Sequence, residues 1–287
     1  MGIIFALITS FSQAIGYVAL KKSYEELPPS VAFLFDAMFG LIILIPYSLI
    51  MGFNFNQAPM VFLYAIISAI LSEAFVFYVF SKGELSITAT IFSSYPIYNV
   101  LFSFFVNNDR PSPIHWLFII LTILGTIIVS LPNKFNKAEF KKKALILWGL
   151  AAAVSVGFAD SISKNIIDKT SVEAFMFALA IVQVPVALIY LRLEKQKLSQ
   201  FVNIVNHFKK YKFALLGSLL NIITVFFLWL AFSSADLSVV SPLTAIYPGI
   251  TILLAYLFLK ERIKLKDFMG LIVIIAGVIG ISYFYQD

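Results

Sequence analysis

Leu237-Ser-Val-Val-Ser-Pro-Leu-Thr-Ala-Ile-Tyr-Pro248 is the second use of a pattern that appears earlier in the chain. Slid back by 152 residues, it falls on Leu85-Ser-Ile-Thr-Ala-Thr-Ile-Phe-Ser-Ser-Tyr-Pro96, with Leu-Ser at one end and Tyr-Pro at the other. The same shift aligns 59–130 with 211–282 without a gap, and 16 of the 72 positions are identical. Apolar identities are common in such a sequence, so the rarer ones carry the weight. Phe80-Ser81 falls on Phe232-Ser233, Arg110 on Arg262 and Gly125 on Gly277, while Asp109 and Glu84 fall on Glu261 and Asp236 with charge kept. A second shift, of 147, puts Gly2 on Gly149, Phe11 on Phe158 and Gln13 on Asp160. The chain reads as a duplication.

The duplicated unit is built for lipid. Of the 287 residues 61% are hydrophobic and 13% charged, with 30 Phe, where a soluble domain carries about 25% charged residues. So apolar a core has too little polar surface to cover it, which excludes a soluble enzyme and a disordered chain. A helix needs about 20 apolar residues to cross the hydrocarbon layer. Ten such segments can be cut out, roughly 2–20, 30–51, 60–81, 85–106, 114–131, 144–163, 171–192, 213–233, 237–259 and 268–285. The runs are long and do not alternate, as helices do not and barrel strands do. Pro28-Pro29, Asn107 to Pro111, Pro132-Asn133 and Lys260-Glu261-Arg262 punctuate them. Lys82-Gly83-Glu84 and Ala235-Asp236 are short enough to make tight hairpins of spans 3–4 and 8–9. Met1-Gly2-Ile3 lacks the basic start of a signal peptide and reads as a first span that begins at once.

The fold class is therefore an all-α membrane protein of ten transmembrane helices. It divides into 1–131, a basic connecting loop 132–143, and 144–287. Five spans per half is an odd number, so the second half enters the membrane in the opposite sense, giving an inverted repeat. That architecture places a substrate site near the midplane and opens it to each side in turn. Of the 21 Lys and Arg, 18 lie in loops 1–2, 3–4, 5–6, 7–8 and 9–10; the others are Arg110, Lys164 and Lys169. The positive side faces the cytoplasm, which puts both termini outside it and the chain in the plasma (bacterial inner) membrane. Within the basic connection 193–212, Leu198, Phe201, Val202, Val205 and Phe208 share a helical face opposite Gln200, Asn203, Asn206 and Lys210. This is either a helix lying in the interface or an N-terminal extension of span 8.

The stretch 237–248, followed by Leu259-Lys-Glu-Arg262 and Gly270…Gly277, resembles the EamA domain of the drug/metabolite transporter superfamily. The resemblance covers nearly the whole length. It implies a central cavity lined by both halves, fourth and ninth helices bent at proline, and transport of small solutes such as amino acids, drugs, sugars, nucleotide derivatives or quaternary amines, mostly by export or exchange. Two features depart from the family's habit. Asp36 stands in the part of span 2 that often carries an Arg, which disfavours an anionic substrate, and the charge count opposes cytoplasmic termini.

An ionised side chain in the middle of a span costs roughly 2.5–3.5 kcal/mol on insertion scales and defaults to a functional role. Glu73, well inside span 3 and matched by Val225 in the repeat, is the first candidate: a ligand for an organic cation, a proton carrier, or a side chain hydrogen-bonded to a neighbouring helix. Asp36 lies two turns into span 2 and would support it. Asp160 in span 6 has Lys164 at i+4, a spacing that lets the pair satisfy itself; its repeat mate Gln13 has Tyr17 at the same spacing. Tyr95 and Asn99, and Tyr247 and Thr251, sit at i,i+4 beside Pro96 and Pro248, whose missing N–H bends the helix and leaves a carbonyl for a cavity. Trp229 aligns with Phe77 and Asn221 with Ala69, so carboxylate, aromatic rings and amides gather as they would around a cation. Glu84, Asp109, Asp236 and Glu261 mark helix ends and read as caps.

The chain has no Cys and only His115 and His207, and it shows no Walker loop, HExxH or GxSxG. It is read as not an enzyme, with no metal and no cofactor, and as driven by a gradient or by exchange, with proton coupling through Glu73. Its partners are a small-molecule solute and the bilayer, with no nucleic acid, and it acts as a monomer or a homodimer. The function is secondary transport, by export or exchange, of a small cationic or zwitterionic metabolite such as an amino acid or amine. The alternatives are a flippase for lipid or lipid-linked sugar, which needs a lateral opening, and a membrane accessory protein that moves no solute.

Overall fold

A computed structural model describes residues 1–23, 27–54, 56–82, 92–131, 143–259 and 264–284. Gly83 and Glu84 of the hairpin loop with the start of span 4, most of the connecting loop 132–143, and Lys260-Glu261-Arg262 lie outside the described residues, as do the caps assigned to Glu84 and Glu261.

The described residues fold into helices α1 (Gly2–Ser23), α2 (Pro29–Met51), α3 (Ala58–Ser68), α4 (Phe75–Lys82), α5 (Tyr95–Val106), α6 (Pro113–Ser130) and α7 (Lys143–Lys169). They continue with α8 (Val172–Leu193), α9 (Leu198–Asn206), α10 (Lys212–Ser234), α11 (Leu237–Thr244), α12 (Tyr247–Leu259) and α13 (Leu265–Phe284). Among the described residues, eight helical segments are long and apolar enough to cross a membrane, and Gly2–Gly16 and Tyr95–Val106 are shorter apolar helices. Ser234 and Leu237 are separated by two residues, so the hairpin of spans 8 and 9 is as tight as its sequence requires.

Three elements differ from a plain reading of hydropathy. Between α3 and α4 the helix widens into a π-turn, Ala69–Ala74, that contains Glu73. Such turns put one more residue into a turn and re-aim the side chains around it. The ninth span is broken rather than bent: α11 stops at Thr244 and α12 restarts with Tyr247-Pro248 in its first turn, where a proline has no hydrogen bond to lose. Pro96 likewise sits in the first turn of α5. Finally, α9 is a helix of its own, separated from α10 by the turn at 207–211, which settles the two readings of the basic connection against an extension of span 8. Phe201 stacks on Phe35 at 4.4 Å and Ile204 is buried, while Leu198, Val202, Val205 and Phe208 face outward.

The most extensive packings all pair a helix from the first half with one from the second: α1 with α10, α6 with α13, α2 with α8, and α5 with α7. The two halves therefore share one interior. That interior is small and polar beside its aromatic core of Phe175, Trp229 and Phe232, whose rings meet edge to face at 4.8 and 5.3 Å. Large aliphatic side chains such as Leu49, Leu63, Ile189 and Ile279 point outward, the distribution that lipid solvent favours, with small residues allowing helices to approach. Gly125 and Gly277 bring α6 and α13 together backbone to backbone. A Cβ on Gly125 would lie 2.8 Å from the Ile274 nitrogen, and one on Gly277 2.7 Å from that of Thr122.

Candidate functional site

A cavity lies where α1, the π-turn, α4, α7, α10 and α11 converge. Its wall contains six of the residues singled out in the sequence: Gln13, Glu73, Tyr95, Asp160, Asn221 and Trp229. Aromatic rings cover one side, with Phe92 stacked on Tyr95 at 5.3 Å and Phe80 edge-on to Phe92 at 5.1 Å. Asp36, Asn99, Tyr247 and Thr251 stand off the wall. The Thr251 hydroxyl donates at 2.9 Å to the Tyr247 carbonyl of its own helix, which a helical threonine readily does. Tyr247 is buried beside the break in span 9.

The three carboxylates well inside the spans are held in one manner. Asn221 of α10 donates to Asp36 Oδ1 at 3.0 Å. Gln183 of α8 donates to Glu73 Oε2. Asn99 of α5 donates to Asp160 Oδ2 at 3.0 Å, and the Ser72 hydroxyl to Oδ1 at 3.4 Å. In each case the main partner is a neutral amide contributed by the other half of the chain. An amide tolerates either charge state of the acid, because it can turn its NH2 to a carboxylate or its carbonyl to a carboxylic acid. A lysine or arginine in the same place would fix the charge.

Asp160 therefore does not pair with Lys164, contrary to the i,i+4 reading. The Lys164 ammonium runs one turn further along α7 to Asp168, 2.5 Å away. Asp168 is half exposed, so the ion pair forms where water still solvates it, while Asp160 is buried between Asn99 and Ser72. Asn99 also donates to Ser241 Oγ at 2.6 Å, and the Tyr95 and Thr244 hydroxyls lie 2.9 Å apart, so α5 is tied to α11 beside the cavity.

The carbonyls left by the break in span 9 are not open to the cavity. Pro248 has no N–H for the Thr244 carbonyl, and Ser10 of α1 takes that oxygen at 2.9 Å and the Leu243 oxygen at 2.5 Å. Asp109, read as a cap in its own loop, instead caps a helix of the other half: its Oδ2 accepts from the Ser238 N–H of α11 at 2.9 Å and from Ser103 at 3.1 Å. Asp236 occupies the N-cap position of α11 without making a side-chain cap bond. Partial burial, and then the Asp109 carboxylate, raise Asp236 above the usual carboxylate range even though its side chain reaches water; Lys164 and His115 act the other way.

Gln183, Ser72 and Thr244 were not singled out by sequence. Gln183 had a signal: it is an amide in the middle of span 7, and the shift of 147 places it on Asp36. Ser72 and Thr244 had none, since hydroxyls return readily to their own helix. Among the described residues no three His, Asp or Glu side chains converge as metal ligands do.

The chain matches the model of the EamA-like transporter family over residues 1–131 and 143–283. It is 26% identical over 259 residues to a protein of Rickettsia conorii named S-adenosylmethionine uptake transporter, covering 88% of this chain and 82% of the relative. A protein of the same name from Rickettsia prowazekii is 24% identical over 284 residues, covering 98% and 92%. An uncharacterized protein of Methanocaldococcus jannaschii is 31% identical over 137 residues, 48% of this chain and 95% of its own length. A solved protein crystal structure superposes with a TM-score of 0.75 at 15% identity over 99% of both chains. This multi-pass membrane protein, all-helical among its described residues, belongs to the EamA-like transporter family.

Proposed function

We propose that the chain is a ten-span secondary transporter of the bacterial inner membrane, built from inverted halves 1–131 and 144–287. It exchanges a small organic cation or zwitterion across the bilayer by alternating access. The observation that carries this reading is the cavity wall. Glu73 and Asp160 stand on it with the Tyr95 and Trp229 rings, and the buried Lys164 is already paired with Asp168. A cationic group balances a buried carboxylate and is attracted to an aromatic face. S-adenosylmethionine, named for the Rickettsia relatives, joins a sulfonium and an amino acid to an adenine ring, so it is the first solute to test. In this reading Glu73 and Asp160 bind the cationic end, Tyr95 and Trp229 wall the planar end, and Asn221 and Gln13 donate to polar edges.

The test is counterflow in proteoliposomes preloaded with unlabelled solute, using S-adenosylmethionine, cationic amino acids and amines, with nucleosides and organic anions as controls. Label should enter with one of the cations or zwitterions. Asp160→Asn should lower the rate more than about ten-fold, since a charge-assisted hydrogen bond contributes roughly 1.5–3 kcal/mol. Entry of the organic anions alone would overturn the reading.

A second reading has one observation in its favour. An apolar groove opens on the outer face between the π-turn, α4 and α8, lined by Ile70, Tyr78, Val186 and Tyr190 and ending at Glu194. A lateral opening of this kind suits a lipid flippase, and flipping of a labelled lipid in the same vesicles distinguishes it.

A further inference from the structure

Asp36 is fully buried, accepts one hydrogen bond from Asn221, and leaves Oδ2 without a hydrogen-bond partner. It does not stand on the cavity wall, so solute contact does not explain it. The fold does not explain it either. The shift of 147 places Asp36 on Gln183, and the two residues do matched work: Asp36 of α2 bonds to α10, and Gln183 of α8 bonds to Glu73 in the helix that α10 repeats. One half fills the position with a neutral amide, whereas the other carries an acid that costs roughly 2.5–3.5 kcal/mol to insert.

Asp36 and Glu73 stand on neighbouring elements, since α2 packs against both the π-turn and α4. Between them lies a third acceptor. The Gln183 amide oxygen is fully buried, has no hydrogen-bond partner, and rests against Gly40, one turn after Asp36; a Cβ on Gly40 would fall 2.6 Å from it. Glu73 Oε1 is also buried without a partner. Three buried oxygens from three elements lack a donor, and a proton on either acid turns one of these acceptors into a donor. Of the charged groups on helices packed against α2, Glu73 lies inside. Glu173 and Arg192 of α8, Lys212 of α10 and Lys82 of α4 stand at helix ends, and α9 carries none.

Building on the proposed cation exchange, we propose that Asp36 and Glu73 form a proton-coupling pair. When the solute's cationic group reaches Glu73, the proton shared by the pair passes from Asp36 through Glu73 to cavity water and leaves on the side from which the solute came; the pair takes up its next proton from the side on which the solute is released. One positive charge enters and one departs, so the buried charge is the same in both loaded states. Asn221 and Gln183 keep their contacts throughout, because an amide serves either form of the acid.

The experiment uses proteoliposomes holding wild type or Asp36→Asn, the labelled solute found by counterflow, and a luminal pH dye. Wild type should accumulate label when the lumen is acidic relative to outside, with a matching alkalinisation of the lumen. Asp36→Asn should lose both the accumulation and the alkalinisation while counterflow stays at the wild-type rate, which also shows that the variant is folded. Gradient-driven accumulation by Asp36→Asn, loss of its counterflow, or a wild type that exchanges solute but ignores the pH gradient or follows sodium would each overturn the pair. A wild type without counterflow of any cation or zwitterion would instead overturn the cation-exchange reading beneath it.

Discussion

At the scale of single residues, close backbone approach and partial burial make the sharpest demands. Gly157 of α7 lies against α5 so tightly that a Cβ would meet Tyr98 Cβ at 2.5 Å, the Tyr98 carbonyl carbon at 2.9 Å and the Asn99 nitrogen at 3.0 Å. Backbone does not yield as a side chain does. Gly157→Ala should therefore cost about 1–3 kcal/mol and pull Asn99 from Asp160, read as a lower unfolding temperature in detergent together with slower counterflow. Asp236 gives a signed pH dependence. Its folded value is raised, so the native state prefers the protonated acid, and the carboxylate costs stability once pH rises above the ordinary value of 3.8. Asp236→Asn should unfold at a higher temperature than wild type at neutral pH, with the difference vanishing in acid; equal curves at both would refute the shift.

At the scale of elements, the break between α11 and α12 creates a need that α1 meets. Ser10→Ala should remove the one hydroxyl proton that the Leu243 and Thr244 carbonyls share and cost about 1–3 kcal/mol. An unfolding temperature in detergent equal to that of wild type would show that these carbonyls need no donor from α1. The all-helical, membrane-spanning character was legible because lipid imposes a length and a polarity that no soluble helix must satisfy; eight described segments meet that length, and Gly2–Gly16 and Tyr95–Val106 are shorter. The break was half legible: Tyr247-Pro248 announced a disturbance, but whether proline bends a helix or restarts it depends on the donor waiting across the interface, here Ser10. The π-turn at 69–74 left no mark, since hydrogen-bond register is not a property of composition. The Asp160–Lys164 pairing failed for a related reason. Spacing of four residues permits a contact in either direction along α7, and solvation decided for Asp168. Glu73, Asp160, Tyr95 and Trp229 could be grouped from sequence because charge in a span is rare and the repeat supplied their mates. Gln183 carries the same mark, since the shift of 147 places it on Asp36.

At the scale of the molecule, the absence of cysteine from all 287 residues allows single-cysteine labelling without background. With the basic loops in the cytoplasm, Ser112→Cys should react with an impermeant maleimide in intact cells and Lys197→Cys only after permeabilisation. The reverse pattern would turn the whole orientation over. With the expected labelling, the outward face of α9, with Leu198, Val202, Val205 and Phe208 exposed and Lys195, Lys197, Lys209 and Lys210 around it, rests on the cytoplasmic leaflet.

Shared packing between the halves also sets a schedule for birth. The acids of the first half wait for amides made much later: Asp36 and Asn221 are separated by 185 residues, Glu73 and Gln183 by 110. At roughly 5–20 residues per second, the ribosome leaves Asp36 in the bilayer without Asn221 for on the order of ten seconds or more. During that interval the nascent first half must shelter its acids with water, lipid headgroups or an insertion factor, and the late emergence of α10 marks the moment at which it can let them go.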